Sequence, residues 1–124
     1  VLGFVGDITA LHDLNSLVLL ARSPVPIVLF VLNNDGGGIF SHLPVRSQSA
    51  LLDRFFTTPH GLKFEGAARM AGINYLAVAT AGELDRAAEA VAGAHRSTLV
   101  EITVDREHSR QVWTALLERM GKGA

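Results

Sequence analysis

The stretch Ile27-Val28-Leu29-Phe30-Val31-Leu32, followed at once by Asn33-Asn34-Asp35-Gly36-Gly37-Gly38, decides the fold. The apolar run is far shorter than the roughly 20 residues of a membrane-spanning helix. It is rich in β-branched and aromatic residues and reads as a strand buried on both faces. Strands of that kind belong to parallel sheets covered by helices. Val1-Leu2-Gly3-Phe4-Val5 reads the same way, and Asn74–Val78 and Thr98–Val104 are two further strands.

Between these runs the apolar period changes from strand to helix. Leu11, Leu14, Leu17, Val18 and Ala21 share one helical face, and Leu19 and Leu20 widen it, which predicts a largely buried helix. Phe64, Ala67, Ala68 and Ala71 repeat at helical spacing, as do Leu84, Ala87, Ala88 and Val91. Thr80-Ala81-Gly82-Glu83 has the form of a capping box ahead of the latter. Val112, Trp113, Leu116, Leu117 and Met120 share a face of a last helix, with Asp105 as its cap and Gly121 as its stop. The segment Ser41–Gly61 is irregular, with one short helix around Ala50–Phe56, and reads as a binding loop. Strands alternating with helices predict an α/β protein: a doubly wound, mainly parallel sheet with helices on both faces.

Composition narrows the function. The chain has 124 residues, one domain's worth, with 48% hydrophobic and 19% charged residues, so it is not a disordered segment. A net charge of −1 argues against a protein built to neutralise nucleic-acid phosphates, and no run is long enough to span a membrane. The chain has no cysteine, which excludes disulfides, thiolate metal sites and a cysteine nucleophile, and a cytoplasmic location suits that absence. Its five histidines, His12, His42, His60, His95 and His108, have no helical zinc-site spacing.

In open α/β sheets ligands bind beyond the carboxyl ends of the strands. After the first strand come Gly6-Asp7-Ile8-Thr9, and after the second Asn33-Asn34-Asp35-Gly36. If the two strands are neighbours, the two turns sit side by side at one edge of the sheet. Gly6 permits close backbone approach, and the helix start after it suits a phosphate. Asp7 is a hard anionic oxygen ligand, Asn34 brings an amide oxygen, and the glycines bring backbone carbonyls. One carboxylate with carbonyl oxygens and ligand phosphates is an environment for Mg²⁺ or Ca²⁺. Each piece also has a plainer reading: an Asp at a helix start caps it, and Asn-Asn-Asp-Gly turns the chain.

Gly6-Asp7 followed by Asn33-Asn34, with 27 positions from Asp7 to Asn34, resembles the thiamine-diphosphate signature. Most members of that superfamily have Gly where this chain has Ile8. The departure resembles the 2-succinyl-5-enolpyruvyl-6-hydroxy-3-cyclohexene-1-carboxylate synthases of menaquinone biosynthesis. So do the segments from Gly6 to Asn15, Asn33 to Pro44 and Thr58 to Phe64.

The resemblance implies the thiamine diphosphate-binding fold, with Mg²⁺ (or Mn²⁺) held by Asp7, Asn34 and the Gly36 carbonyl. It implies cofactor contacts from Gly6, Ile8, Thr9, Gly37 and Ile39, and a substrate pocket lined by Ile39, Phe40 and Leu43. The implied reaction is decarboxylation of 2-oxoglutarate with addition of a succinyl carbanion equivalent to isochorismate. The chain would be the C-terminal part of the diphosphate-binding domain of a larger enzyme, an opening in mid-strand at Val1 being in keeping with that. The larger enzyme would be a homodimer or homotetramer with small-molecule substrates and no nucleic-acid or membrane partner. The glutamate that activates the cofactor would lie on another domain. Glu65, Glu83 and Glu101 read as structural or surface residues, no catalytic residue is assigned here, and the isolated chain would be inactive.

His42, His60, Arg46 and Arg54 are candidate substrate contacts, though solvent-facing cations are commoner. Asp105 to His108 read as a helix start, and Trp113 as core or interface. Two alternatives remain: another thiamine-diphosphate enzyme, of the 2-oxo acid decarboxylase or acetolactate-synthase kind, and a non-catalytic α/β module binding a nucleotide or flavin. The absence of G-x-G-x-x-G counts against the second.

Overall fold

All four apolar runs form strands: β1 (Leu2–Gly6), β2 (Val28–Asn33), β3 (Asn74–Val78) and β4 (Thr98–Thr103). The computed structural model describes residues 1–42 and 52–121. The strands pair in the order β1-β2-β4-β3, every pair parallel. β1 is therefore an edge strand beside β2, with Gly6 opposite Leu32. The chain divides into two compact units, Val1–Asn33 with Gly61–Thr103, and Asn34–His60 with Val104–Ala124.

The first unit holds the sheet and its covering helices. α1 (Asp7–His12), α2 (Leu17–Arg22) and α3 (Glu65–Ala71) carry Leu11, Leu17, Leu20, Ala67 and Ala68 into one apolar cluster with Val31 and Leu99. α4 (Ala81–Ala92) covers the other face, where Ala87 and Val91 meet Val28, Phe30, Val78 and Val100. Helices on both faces of a parallel sheet make the α/β, doubly wound architecture that strand–helix alternation predicts. The capping box of α4 forms: the Glu83 N–H donates to Thr80 Oγ1 at 3.3 Å, and the Thr80 N–H to the Glu83 carboxylate at 3.0 Å.

Two expectations need correction. The helix predicted across Leu11 to Ala21 is broken after His12, and a 3₁₀ turn at Leu14–Ser16 separates α1 from α2. Asp13 makes the break: its carboxylate accepts from the Ser16 hydroxyl at 2.6 Å and its carbonyl from the Ser16 N–H at 3.1 Å. A short polar side chain bonding locally in this way competes with helical hydrogen bonding. Val18 and Leu19 are exposed, so the helical face is narrower than its leucines suggest. Nor is β1 buried on both faces: Leu2 is 63% and Phe4 64% exposed. An edge strand has one neighbour, and α4 covers the far part of the sheet. Phe4 stacks on Phe30 with centroids 4.8 Å apart, which covers one side of its ring.

The second unit holds the glycine-rich turn, a 3₁₀ segment at Gly38–His42, a π-helical turn at Leu52–Thr57, and α5 (Arg106–Gly121). The π-helical turn occupies most of the short helix expected around Ala50–Phe56. Asp105 caps α5, its carboxylate accepting from the His108 N–H at 2.6 Å. No residue of α5 is buried, so Trp113 is not a core residue and the apolar stripe from Val112 to Met120 faces outward.

Candidate functional site

Parallel strands deliver their carboxyl ends to one edge, and the first unit presents Gly6 to Thr9 there, whereas Asn34, Gly36, Gly37 and Ile39 belong to the second unit. Gly6 ends β1 opposite Leu32, so Asp7 and Asn33 leave the sheet side by side. Asp7 is only 2% exposed, and its Oδ1 accepts from the Ile8 N–H at 2.8 Å. The Ile8 amide thus holds the carboxylate of its neighbour. The Thr9 amide belongs to the same first helical turn, whose leading N–H groups have no acceptor within the helix.

Gly6 does not need glycine's backbone freedom. Its φ of −79° and ψ of 163° are extended backbone, open to any residue, and a Cβ placed there would meet nothing within 4 Å. The fold itself does not require a glycine at this position, and there is open space beside it.

A residue read from the sequence only as structural or surface sits behind this edge. Glu101 on β4 is fully buried. Its Oε1 accepts from Asn33 Nδ2 at 2.6 Å, and its Oε2 from the Phe64 N–H at 2.9 Å and the Tyr75 hydroxyl at 2.8 Å. The Lys63 ammonium lies 3.6 Å from Oε1. Burial pushes the carboxyl pKa up, but the Phe64, Asn33 and Tyr75 donors and the Lys63 charge outweigh it and hold it below the usual carboxylate value. Burial, with the bond to Glu101, pushes the Tyr75 hydroxyl well above its ordinary range. A glutamate inside a strand carries no sequence signal of such a network. The alternation Val100-Glu101-Ile102 in a run otherwise read as buried was the one available hint.

In the second unit the glycine-rich turn closes on its own backbone. Asp35 and Gly36 both have positive φ, 62° and 121°. The Gly37 N–H donates to the Thr57 carbonyl at 2.8 Å, and the Gly38 N–H to the Gly36 carbonyl at 2.8 Å. The Gly36 carbonyl, expected as a metal ligand, therefore already accepts one internal bond, though a carbonyl has a second lone pair. A Cβ on Gly36 would lie 2.2 Å from the Thr57 carbonyl oxygen, one on Gly37 2.7 Å from that of Phe56, and one on Gly38 2.4 Å from Asn34 Nδ2. Gly36 and Gly37 are needed by the chain's own packing against backbone, whereas the atom facing Gly38 is the end of the Asn34 side chain.

Arg106 braces this turn from the start of α5. Its Nε donates to the Asn34 carbonyl at 3.0 Å, a terminal nitrogen donates to the Asp35 carbonyl, and the guanidinium lies 3.8 Å from the Asp35 carboxylate. Only its place just after β4 could have singled it out. The His60 N–H donates to Asp35 Oδ1 at 2.9 Å, and the mostly buried His60 ring sits 3.7 Å from the same oxygen. Phe40 packs against Phe56 with centroids 5.4 Å apart, whereas Ile39 is 72% exposed. Arg54 lies over the Phe55 ring, 5.2 Å from its centroid. Leu43 and Arg46 lie outside the described residues, as does the side chain of His42.

The donor types fit a hard divalent cation: a buried carboxylate, an amide oxygen and a backbone carbonyl, with no thiolate. Among the described residues no three His, Cys, Asp or Glu side chains converge on one metal position. Any ion would therefore depend on neutral oxygens and on a ligand's own phosphates. Among the same residues no helix is long and apolar enough to cross a membrane.

The family profile described as "Thiamine pyrophosphate enzyme, C-terminal TPP binding domain" matches residues 1–102. The 2-succinyl-5-enolpyruvyl-6-hydroxy-3-cyclohexene-1-carboxylate synthase of Aeromonas salmonicida is 47% identical over 81% of this chain and 18% of its own length. The synthase of the same name from Rubrobacter xylanophilus is 43% identical over 91% of this chain and 19% of its own. This chain thus spans about a fifth of the length of these curated relatives. A solved structure, the thiamine diphosphate-dependent 4-hydroxybenzoylformate decarboxylase of Rhodococcus jostii, superposes with a TM-score of 0.72 at 26% identity, over 84% of this chain and 19% of that one. The chain belongs to the thiamine pyrophosphate enzymes as a C-terminal TPP-binding domain, and its likeness runs to the 2-succinyl-5-enolpyruvyl-6-hydroxy-3-cyclohexene-1-carboxylate synthases.

Proposed function

We propose that this chain is the C-terminal part of the diphosphate-binding domain of a larger enzyme. That enzyme decarboxylates 2-oxoglutarate and adds the succinyl carbanion equivalent to isochorismate, as a carbon–carbon bond-forming transferase of menaquinone biosynthesis. The observation that carries the reading is the pairing of Gly6 with Asp7. A carboxylate only 2% exposed stands at the carboxyl edge of the sheet, beside a glycine the fold does not require. A glycine kept where nothing in the chain crowds it suits close approach by a ligand. The relatives named as 2-succinyl-5-enolpyruvyl-6-hydroxy-3-cyclohexene-1-carboxylate synthases support a succinyl-bearing product.

Asp7, Asn34 and the Gly36 carbonyl would hold Mg²⁺ or Mn²⁺. Gly6 would leave room for the diphosphate, with amides of the α1 first turn and the Thr9 hydroxyl meeting its oxygens. The Ile8 amide would act indirectly, by fixing the Asp7 carboxylate. Gly37 and Ile39 would border the cofactor, and Ile39, Phe40 and Leu43 the substrate pocket. When bound, thiamine diphosphate supplies the electron sink for decarboxylation, and the protein supplies binding and orientation. The activating glutamate belongs to another domain in this reading: Glu101 is consumed by its own network, and Glu83 by its capping box. The larger enzyme would be a cytoplasmic homodimer or homotetramer.

The deciding experiment is calorimetry on the full-length enzyme. Asp7→Ala should abolish Mg²⁺-dependent binding of thiamine diphosphate, and unchanged affinity would refute the assignment. In the same protein, turnover should require 2-oxoglutarate, and pyruvate in its place should give none. The 124-residue chain alone should consume no isochorismate in a spectrophotometric assay.

A further inference from the structure

We propose that Glu101 is a positioning residue for the cofactor turn, acting through Asn33; this rests on the reading of Asp7 and Asn34 given above. Asn33 is the last residue of β2 and is buried. Its amide nitrogen donates to Glu101 Oε1 at 2.6 Å and to the Leu62 carbonyl at 3.0 Å, so both amide hydrogens are engaged. The side chain is thereby pinned at two points, and with it the carboxyl end of β2. That end lies opposite Gly6, the residue before Asp7, and Asn34 is the next residue along the chain. A carboxylate in the middle of a sheet is costly unless every lone pair is met. Glu101 instead ties together β2 through Asn33, the entry to α3 through Phe64, and β3 through Tyr75. Of these links, the one to Asn33 leads to the cofactor turn.

The geometry predicts how a conservative change fails. In Glu101→Gln the side chain keeps its shape, but one oxygen becomes an NH₂ group. The Phe64 N–H is fixed in the backbone and demands an acceptor, so the remaining oxygen goes to Phe64 and Tyr75. The new NH₂ then faces the Asn33 NH₂. Asn33 cannot flip without losing Leu62. Tyr75→Phe is the matched control, because it removes a donor from the opposite oxygen and leaves Asn33 untouched.

The test compares the two variants in the full-length enzyme. By calorimetry with thiamine diphosphate, Glu101→Gln should raise the Mg²⁺ concentration for half-saturation at least tenfold, and Tyr75→Phe should leave it within twofold. Hydrogen–deuterium exchange without metal or cofactor should show faster uptake across residues 33–38 in Glu101→Gln and not in Tyr75→Phe. Equal effects of the two variants on both readouts, or no change in Glu101→Gln, would overturn the proposal. Asn33→Ala provides a second route: it should reproduce both changes, and the double variant should be no worse than either single one. Retained Mg²⁺-dependent binding in Asp7→Ala would instead remove the underlying reading of the turn. The metal-free exchange comparison would still decide whether Glu101 holds that turn.

Discussion

Two turns leave the carboxyl ends of neighbouring strands, and both carry glycine, for opposite reasons. At the end of β1, Gly6 has an ordinary extended backbone and empty space where a side chain would go. After β2, Gly36, Gly37 and Gly38 are pressed against the Phe56 and Thr57 carbonyls and the Asn34 amide, and Gly36 has φ of 121°. The second turn needs glycine in order to fold. The first does not, and under the proposed function its glycine leaves room for a ligand. A glycine-rich motif read only as "close approach" merges these cases, and the contact that a Cβ would make separates them.

Gly36→Ala tests the self-held turn and should have the largest effect on stability. The added methyl would overlap a backbone oxygen at 2.2 Å, and the positive φ penalises any L side chain. A cost of about 3 kcal/mol or more is expected, since neither the carbonyl nor the φ can relax cheaply. Denaturant unfolding of the full-length enzyme checks it; a loss below about 1 kcal/mol would mean that the turn can rearrange.

The carboxyl end of β2, opposite Gly6, is held differently, from behind, by the Glu101 carboxylate on β4 through Asn33, and this hold responds to pH. The folded-state pKa of Glu101 is depressed, so between that value and the unfolded value of about 4.3 the unfolded chain binds more protons. Stability from this group is fully present above the unfolded pKa and is lost as pH falls through the folded one. Glu101→Gln removes the titration together with the Asn33 bond. It should cost about 2–3 kcal/mol at pH 7, as expected when a buried charged hydrogen-bond acceptor is replaced by a mismatched one. The acid limb of its stability profile should be correspondingly flatter. Equal slopes for wild type and variant between pH 5 and pH 3 would show that Glu101 is not the group responsible.

What could be read from the sequence follows from the range of the interactions. Strand runs, the Thr80–Glu83 capping box and the Asp105 cap are fixed by residues within a few positions of each other, and each formed. The alternation of strand and helix required a parallel sheet, and the sheet is parallel throughout. The break after His12 was missed because apolar period alone does not register a local bond such as Asp13 to Ser16. The exposed face of β1 was missed because its residues cannot say whether the strand lies at an edge. The bonding roles of Glu101 and Arg106 were missed for a stronger reason. Their partners lie 68 and 72 positions away, and only the fold brings them together. Gly6 and Asp7 stood out as a motif, but the open space beside the glycine became visible only in the fold.

The smallest effect on stability carries the sharpest information. Gly6→Ala places a methyl in open space on backbone that alanine adopts freely. Removing glycine's extra freedom from the unfolded chain should stabilise the protein by about 0.4–1 kcal/mol. The same methyl would stand where the diphosphate is proposed to approach, so thiamine diphosphate affinity should fall at least tenfold, about 1.4 kcal/mol. Thermal unfolding and calorimetry on one variant would thus move in opposite directions. A residue that mattered through folding would move both the same way. A variant that is more stable and binds the cofactor as well as wild type would place the diphosphate elsewhere. The contrast between the two turns would then reduce to a difference in backbone geometry alone.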